Sequence, residues 1–303
     1  MSAVGLIGLG AMGLGMAQSL RRAGLAPQVF DLRRDVAEAF AREGGGTACA
    51  SAAALAAACD VVISVVVNAV QTEALLFGGA SGSSSSGVAD AMRPGSVFVM
   101  CSTVDPRASV DFEARLAERG LLYLDAPISG GAAKAAAGQL TMMTAGRPEA
   151  YARCGAVLDA MAARVYRLGD RAGPGSRVKV INQLLAGVHI AAAAEAMALG
   201  LREGVDAAAL YDVITHSAGS SWMFENRMPH VLDGDYTPRS AVDIFVKDLG
   251  LVLDMARGTN FPLPLASTAH QMFMQASSAG HGREDDAAVI KIFPGITLPE
   301  KKP

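Results

Sequence analysis

The sequence predicts an α/β chain in which a doubly wound parallel sheet with covering helices is followed by an all-helical domain. Three features carry this expectation. A short apolar strand, Val4 to Ile7, enters a turn built on Gly8, Gly10 and Gly13. Up to about residue 165, apolar β-like runs then alternate with helical stretches, the pattern that sets parallel strands between crossover helices. Beyond Gly169-Asp170-Arg171-Ala172-Gly173-Pro174-Gly175 the strand signals stop and long helical segments take over. The domains are accordingly set at 1–165 and 166–303.

Strands are expected at Val4 to Ile7, Gln28 to Phe30, Val61 to Val66, Val97 to Met100, Leu122 to Asp125, Leu140 to Thr144 and Val165 to Arg167. Most are continuous apolar runs, as strands covered on both faces require. The turn after the first strand has the spacing Gly-x-Gly-x-x-Gly, with a helix from Leu14 to Ala23 behind it. A pyrophosphate needs backbone N–H groups at close range, and a helix N-terminus supplies both donors and dipole. Gly8, Leu9, Gly10, Ala11, Met12 and Gly13 are therefore the expected phosphate-binding segment of a Rossmann-type domain. Asp31 ends the second strand about twenty residues on, where a carboxylate can accept both ribose hydroxyls of the adenosine. The same charge repels a 2′-phosphate and favours NAD over NADP. Arg33 and Arg34 follow and carry the opposing charge; the alternative role for Asp31 is to cap the next helix.

With 51% hydrophobic and 18% charged residues, 303 residues suffice for two domains with substantial cores. A net charge of −3 offers no basic surface for nucleic acid, so none is expected as a partner. The N-terminus reads as a strand rather than a signal peptide, which makes the cytosol the expected compartment. Cys49, Cys59, Cys101 and Cys154 are far apart with no C-x-x-C pair, and the five histidines are scattered, so neither a disulfide framework nor a metal site is expected. The stretch from Gly78 to Gly87 is low in complexity and reads as a surface loop. A long helix from about Ser176 to Glu203 is alanine-rich. Lys179, Asn182, Gln183, His189 and Glu195 interrupt its apolar run, so a buried helix is expected and no membrane span. The apolar surface of the helical half points to a homodimer or homotetramer.

Three further segments complete a pattern: Asp125-Ala126-Pro127-Ile128-Ser129-Gly130-Gly131, Gly173-Pro174-Gly175-Ser176-Arg177-Val178-Lys179-Val180-Ile181-Asn182, and Lys247-Asp248-Leu249. Together with the opening glycine turn they resemble, in order and over nearly the whole chain, the successive signatures of the β-hydroxyacid dehydrogenase family. The resemblance implies an NAD-dependent enzyme that oxidises a small hydroxy acid. It implies that Ser129, Gly130 and Gly131 hold the substrate carboxylate, for which a hydroxyl and bare backbone amides are suitable donors. Lys179 is implied as the group that exchanges the alcohol proton, with Asn182 one turn further along its helix as a partner of the substrate or of the lysine, and Gln183 beside it as a substrate partner. Thr103, in Met100-Cys101-Ser102-Thr103, and Lys247 are implied on the cofactor. The family commonly has an acid where Met100 stands. The unpatterned alternatives are a helix cap at Ser102-Thr103 and a salt bridge of Lys247 with Asp248 or another surface acid. Asp285 touches the cofactor or caps a helix, and Trp222, Met223 and Phe224 line the substrate end or the core.

Within the family, the stretch from Asn182 to Leu199 most resembles the branch that converts L-threonate to 2-dehydro-L-erythronate, with Gln183 where many relatives carry a second asparagine. Oxidation of 3-hydroxyisobutyrate and reduction of tartronate semialdehyde are the alternative activities. A non-catalytic cofactor-binding scaffold is the alternative of another kind, and Lys179 speaks against it.

Overall fold

A computed structural model describes residues 2–79 and 87–301. Ala80 to Ser86, most of the low-complexity stretch, lie outside the described residues. The chain forms two compact units, Met1–Lys179 and Val180–Pro303.

Among the described residues, the first unit is built on nine strands: β1 (Val4–Ile7), β2 (Gln28–Phe30), β3 (Thr47–Ala48), β4 (Val61–Ser64), β5 (Val97–Met100), β6 (Leu122–Asp125), β7 (Ile128–Ser129), β8 (Leu140–Gly146) and β9 (Ala162–Arg167). Between them run helices α1 (Ala11–Arg22), α2 (Arg34–Arg42), α3 (Ala52–Ala58), α4 (Ala69–Phe77), α5 (Val88–Ala91), α6 (Pro106–Ala117), α7 (Gly131–Ala137) and α8 (Pro148–Met161). Strands β1, β4 and β5 are buried at every residue, which explains why Val-Val-Ile-Ser and Val-Phe-Val-Met show no polar alternation. Helices α3, α4 and α6 open on Ser51, Asn68 and Asp105, whose side chains accept an N–H of the first turn.

The strand order is β3-β2-β1-β4-β5-β6, all parallel. Chain order reverses direction at β1, whose neighbours are β2 and β4. Such a switch point opens a crevice at the carboxyl ends of the strands. The sheet is not parallel throughout, because β8 runs antiparallel to both β6 and β7 in one unbroken register, and β9 pairs parallel with β8. Strand β7 thus continues the line of β6 after the break at Ala126-Pro127. It carries Ser129 past the carboxyl end of β5, whose last residue pairs with Asp125.

Helix α9 (Pro174–Arg202) begins at the end of the first unit and continues into the second. There it is joined by α10 (Ala207–Thr215), α11 (Trp222–Leu232), α12 (Val242–Arg257) and α13 (Pro264–Ala276). By length and composition α9 is, among the described residues, the one helix that could cross a membrane. Its residues Ile190, Ala194 and Met197 instead enter the core of the second unit with Phe224, Met228 and Leu249. Phe245 and Phe273 stack in that core at 5.1 Å between ring centroids. Asp285 ties the unit together: its carboxylate accepts from His230 Nδ1 at 2.8 Å, from the Arg239 N–H at 3.0 Å and from the Ala287 N–H at 3.2 Å. These bonds make it a cap and a tether between α11 and the C-terminal turns.

Candidate functional site

The glycine turn, Asp31 and Ser102-Thr103 fall at the carboxyl ends of the parallel strands β1, β2 and β5. The glycine turn follows β1 directly, and Gly10 is the N-cap of α1. A glycine there offers no capping side chain, and the first turn contains no acid. The leading N–H groups of α1 therefore keep their positive dipole end for an anion. A Cβ added at Gly10 would meet nothing within 4 Å, whereas one at Gly13 would lie 1.8 Å from the Gly8 carbonyl oxygen. Gly13 is thus needed for helix-on-turn packing, and Gly10 leaves clear space where a pyrophosphate approaches.

Asp31 stands at the end of β2, and its side chain faces the same turn. One carboxylate oxygen accepts the Leu9 N–H at 2.7 Å; the other accepts the Arg33 N–H at 2.8 Å and Arg33 Nε at 3.2 Å. Burial pushes the Asp31 carboxyl up, but these donors outweigh it and hold it below the usual carboxylate range. The group is an ionised acceptor with lone pairs to spare for a ribose diol. It does not cap α2: the N-cap is Arg33. The exposed apolar side chains Leu32, Val67 and Val70 follow the ends of β2 and β4, on either side of the β1 turn. A planar apolar base fits that setting, which the sequence does not disclose because isolated exposed Val and Leu carry no signal of their own.

At the end of β5, Ser102 is buried and donates to the Val66 carbonyl at 2.7 Å, so its hydroxyl joins two strand ends rather than facing a ligand. Thr103, next in line, is half-buried. Beyond β7, Gly130 and Gly131 have φ of 139° and 76°, a left-handed pair that only glycine adopts without strain. Gly131 has open space where a Cβ would be, so the amides after Ser129 can be approached closely.

Asp125 is the residue whose role the sequence does not disclose. It is fully buried at the end of β6 and receives three hydrogen bonds: the N–H groups of Gly173 and Ser176, each at 2.9 Å, and the Ser176 hydroxyl at 2.6 Å. Burial raises its carboxyl above the usual range despite these donors, of which the Ser176 hydroxyl counts most. The three bonds fix the first turn of α9 on the sheet. Lys179 follows one turn later, 7% exposed.

In the second unit, Gln183 donates through Nε2 to Asp248 at 2.6 Å, and Asn182 donates through Nδ2 to Gln183 Oε1 at 3.1 Å. Lys247 pairs with the other Asp248 oxygen at 2.5 Å. Asn182, Gln183 and Lys247 are thereby linked through an aspartate that the sequence marks only as part of Lys-Asp-Leu. Met223 and Phe224 belong to the core, while Trp222 is exposed. Among the described residues, no three His, Cys, Asp or Glu side chains are placed to hold a metal ion.

An uncapped helix behind a glycine turn, with an acceptor carboxylate at the next strand end, defines a dinucleotide-binding oxidoreductase fold. Residues 3–169 match the model of the NAD binding domain of 6-phosphogluconate dehydrogenase, and residues 173–293 that of the NAD-binding domain of NADP-dependent 3-hydroxyisobutyrate dehydrogenase. The chain is 65% identical over 298 residues to L-threonate dehydrogenase of Cupriavidus necator, covering 98% of each. It is 52% identical to L-threonate dehydrogenase of Escherichia coli K12, covering 99% of this chain and 97% of that one. A crystal structure described as 3-hydroxyisobutyrate dehydrogenase from Salmonella typhimurium has 54% identity and a TM-score of 0.91, covering 96% of this chain and 99% of that one. The chain belongs to the 3-hydroxyisobutyrate dehydrogenase-related family of NAD-binding hydroxy acid dehydrogenases.

Proposed function

We propose that the protein oxidises L-threonate to 2-dehydro-L-erythronate with NAD. The observation that carries this is the 65% identity to an L-threonate dehydrogenase along essentially the whole of both chains. NAD, when bound, supplies the hydride acceptor. The work of the chain is to hold the acid and to take the alcohol proton. Ser129, Gly130 and Gly131 bind the substrate carboxylate through the serine hydroxyl and exposed amides. Lys179, as the neutral amine, receives the hydroxyl proton while the C–H pair leaves as hydride, and returns it in the reverse direction. Asn182 and Gln183 bind substrate hydroxyls, and Thr103 and Lys247 bind the cofactor. Asp31 binds the adenosine ribose and sets the preference for NAD.

Oxidation of 3-hydroxyisobutyrate is the second reading, favoured by the description of the Salmonella structure. The two separate on one measurement, NADH formation at 340 nm with L-threonate, D-erythronate, 3-hydroxyisobutyrate and D-glycerate. Selective turnover of L-threonate supports the first reading; selective turnover of 3-hydroxyisobutyrate replaces it. Lys179→Ala should lose turnover by about 10²- to 10⁴-fold, the usual worth of a general acid–base group, while still binding NADH. A variant that kept most of its rate would remove Lys179 from the role, and failure of the wild type with every acid would restore the scaffold alternative.

The protein acts in the cytosol as a homodimer or homotetramer in this proposal. Val178, Ile181 and Leu185 are exposed at helical spacing along α9, a stripe that a second copy of the chain would cover. Light scattering on the purified protein decides; a monomer at micromolar concentration rules the assembly out.

A further inference from the structure

We infer that Arg33 is a cofactor-specificity residue that competes with one adenosine ribose hydroxyl for Asp31, and so sets how much the site depends on that hydroxyl. The inference rests on the reading of Asp31 as the ribose acceptor. A carboxylate offers about four lone-pair positions, two on each oxygen. On Asp31 Oδ2 one is taken, by the Leu9 N–H at 2.7 Å. On Oδ1 both are taken, by the Arg33 N–H at 2.8 Å and by Arg33 Nε at 3.2 Å. A ribose diol brings two O–H donors, one for each oxygen, and the second of them finds Oδ1 full. The backbone donors are fixed, because the Leu9 N–H belongs to the glycine turn and the Arg33 N–H closes a tight turn on the Asp31 side chain. The guanidinium is not: the Arg33 side chain is 61% exposed, and its Nη2 reaches the Leu9 carbonyl at a longer 3.3 Å. Arg33 therefore gives up Oδ1 for the diol to bind in full. The consequence is a levelled preference. With NAD, Asp31 gains a bond to the second hydroxyl and loses one to Arg33; with a cofactor lacking that hydroxyl, Arg33 stays and the carboxylate remains satisfied.

Arg33→Ala tests this, because alanine keeps the N–H on Oδ1 and removes only the guanidinium. Dissociation constants of NAD and of its analogues lacking the 2′- or the 3′-hydroxyl of the adenosine ribose are measured by titration calorimetry for wild type, Arg33→Ala and Asp31→Ala. The wild type should be asymmetric. The analogue lacking the hydroxyl that meets Oδ2 weakens by about 10-fold or more, the worth of a hydrogen bond to a charged group, and the other stays within about 3-fold of NAD because Arg33 replaces the missing donor. In Arg33→Ala the asymmetry should vanish, with both analogues weakened by about 10-fold, while NAD itself binds as tightly as to the wild type or up to about 10-fold tighter. Equal sensitivity to the two hydroxyls in the wild type, an asymmetry that survives in Arg33→Ala, or weaker binding of NAD to that variant overturns the inference. Asp31→Ala should weaken NAD by about 10-fold or more and lose both hydroxyl effects. If its affinity is unchanged, the ribose reading of Asp31 falls and the inference with it; if it weakens as expected while Arg33→Ala fails, the inference alone falls.

Discussion

Removing the Asp125 carboxylate should release the first turn of α9 from the sheet. In Asp125→Ala, three donors lose their acceptor at once: the Gly173 and Ser176 N–H groups and the Ser176 hydroxyl. Both Asp125 and Ser176 are buried, so water does not readily replace it. A stranded buried donor costs about 1–3 kcal/mol, and relief of the buried charge returns part of the total, which leaves a loss of about 3–5 kcal/mol. Asp125→Asn should cost only about 1 kcal/mol, because its amide oxygen can take both N–H groups while its NH2 donates to Ser176 Oγ. Urea unfolding followed by circular dichroism gives the stabilities, and hydrogen exchange at the Gly173 and Ser176 amides reports the cap itself. If the first turn of α9 loosens, Lys179 moves with it, and a displacement of 1 Å at a reacting group costs about 10²-fold in rate. The raised carboxyl adds a pH signature. Its contribution is fully present below the unfolded value of about 3.9 and is lost as pH rises through the higher folded one, so the gap between wild type and Asp125→Asn should narrow with rising pH. An Asp125→Ala variant within 1 kcal/mol of wild type, or no better tolerance of asparagine than of alanine, would refute the assignment of Asp125 as the anchor of α9.

Asp31→Asn removes the charge facing the ribose while Arg33 and Arg34 remain; the ratio of kcat/KM for NADP to that for NAD should rise at least about 10-fold, and an unchanged ratio would sink the role given to Asp31. Burial pushes the Cys59 and Cys154 thiols up to about 12 and Cys101 higher still, so a thiol reagent at pH 7.5 should label no more than Cys49 within minutes in the native protein and all four once it is unfolded; rapid labelling of two or more native thiols contradicts this. Burial raises the Asp285 carboxyl, yet His230 and the Arg239 and Ala287 N–H groups together hold it below the usual range. The stability it contributes is present above the unfolded value of about 3.9 and lost as pH falls through the folded one, so acid unfolding of Asp285→Asn should depend less on pH than that of the wild type.

The sheet was legible because its strands are buried on both faces and so stand out as apolar runs: Val4–Ile7, Gln28–Phe30, Val97–Met100 and Leu122–Asp125 have the bounds their sequences suggest. Strands β3 and β7 are two residues each, too short for any periodicity, and exist because a neighbouring strand offers free backbone groups. The antiparallel run of β8 was equally hidden, since direction depends on a return through α7 and Gly138 rather than on the composition of the strand. Local motifs were visible wherever the chemistry is local, as in the glycine turn and Asp31. Asp125 and Asp248 act on residues about fifty and sixty-five positions away, and nothing in their immediate neighbours distinguishes a buried anchor from a surface acid.

The two outer margins of the sheet have a consequence for how copies of the chain can meet. One margin is β3, only two residues long. The other is β9, where Arg164 and Arg167 stand exposed on a strand of six. A growing stack of strands needs a long, flat, uncharged margin to add to, and neither side offers one. The nine-stranded sheet therefore ends itself. Addition of a second copy of the chain by strand pairing is thereby disfavoured at both margins.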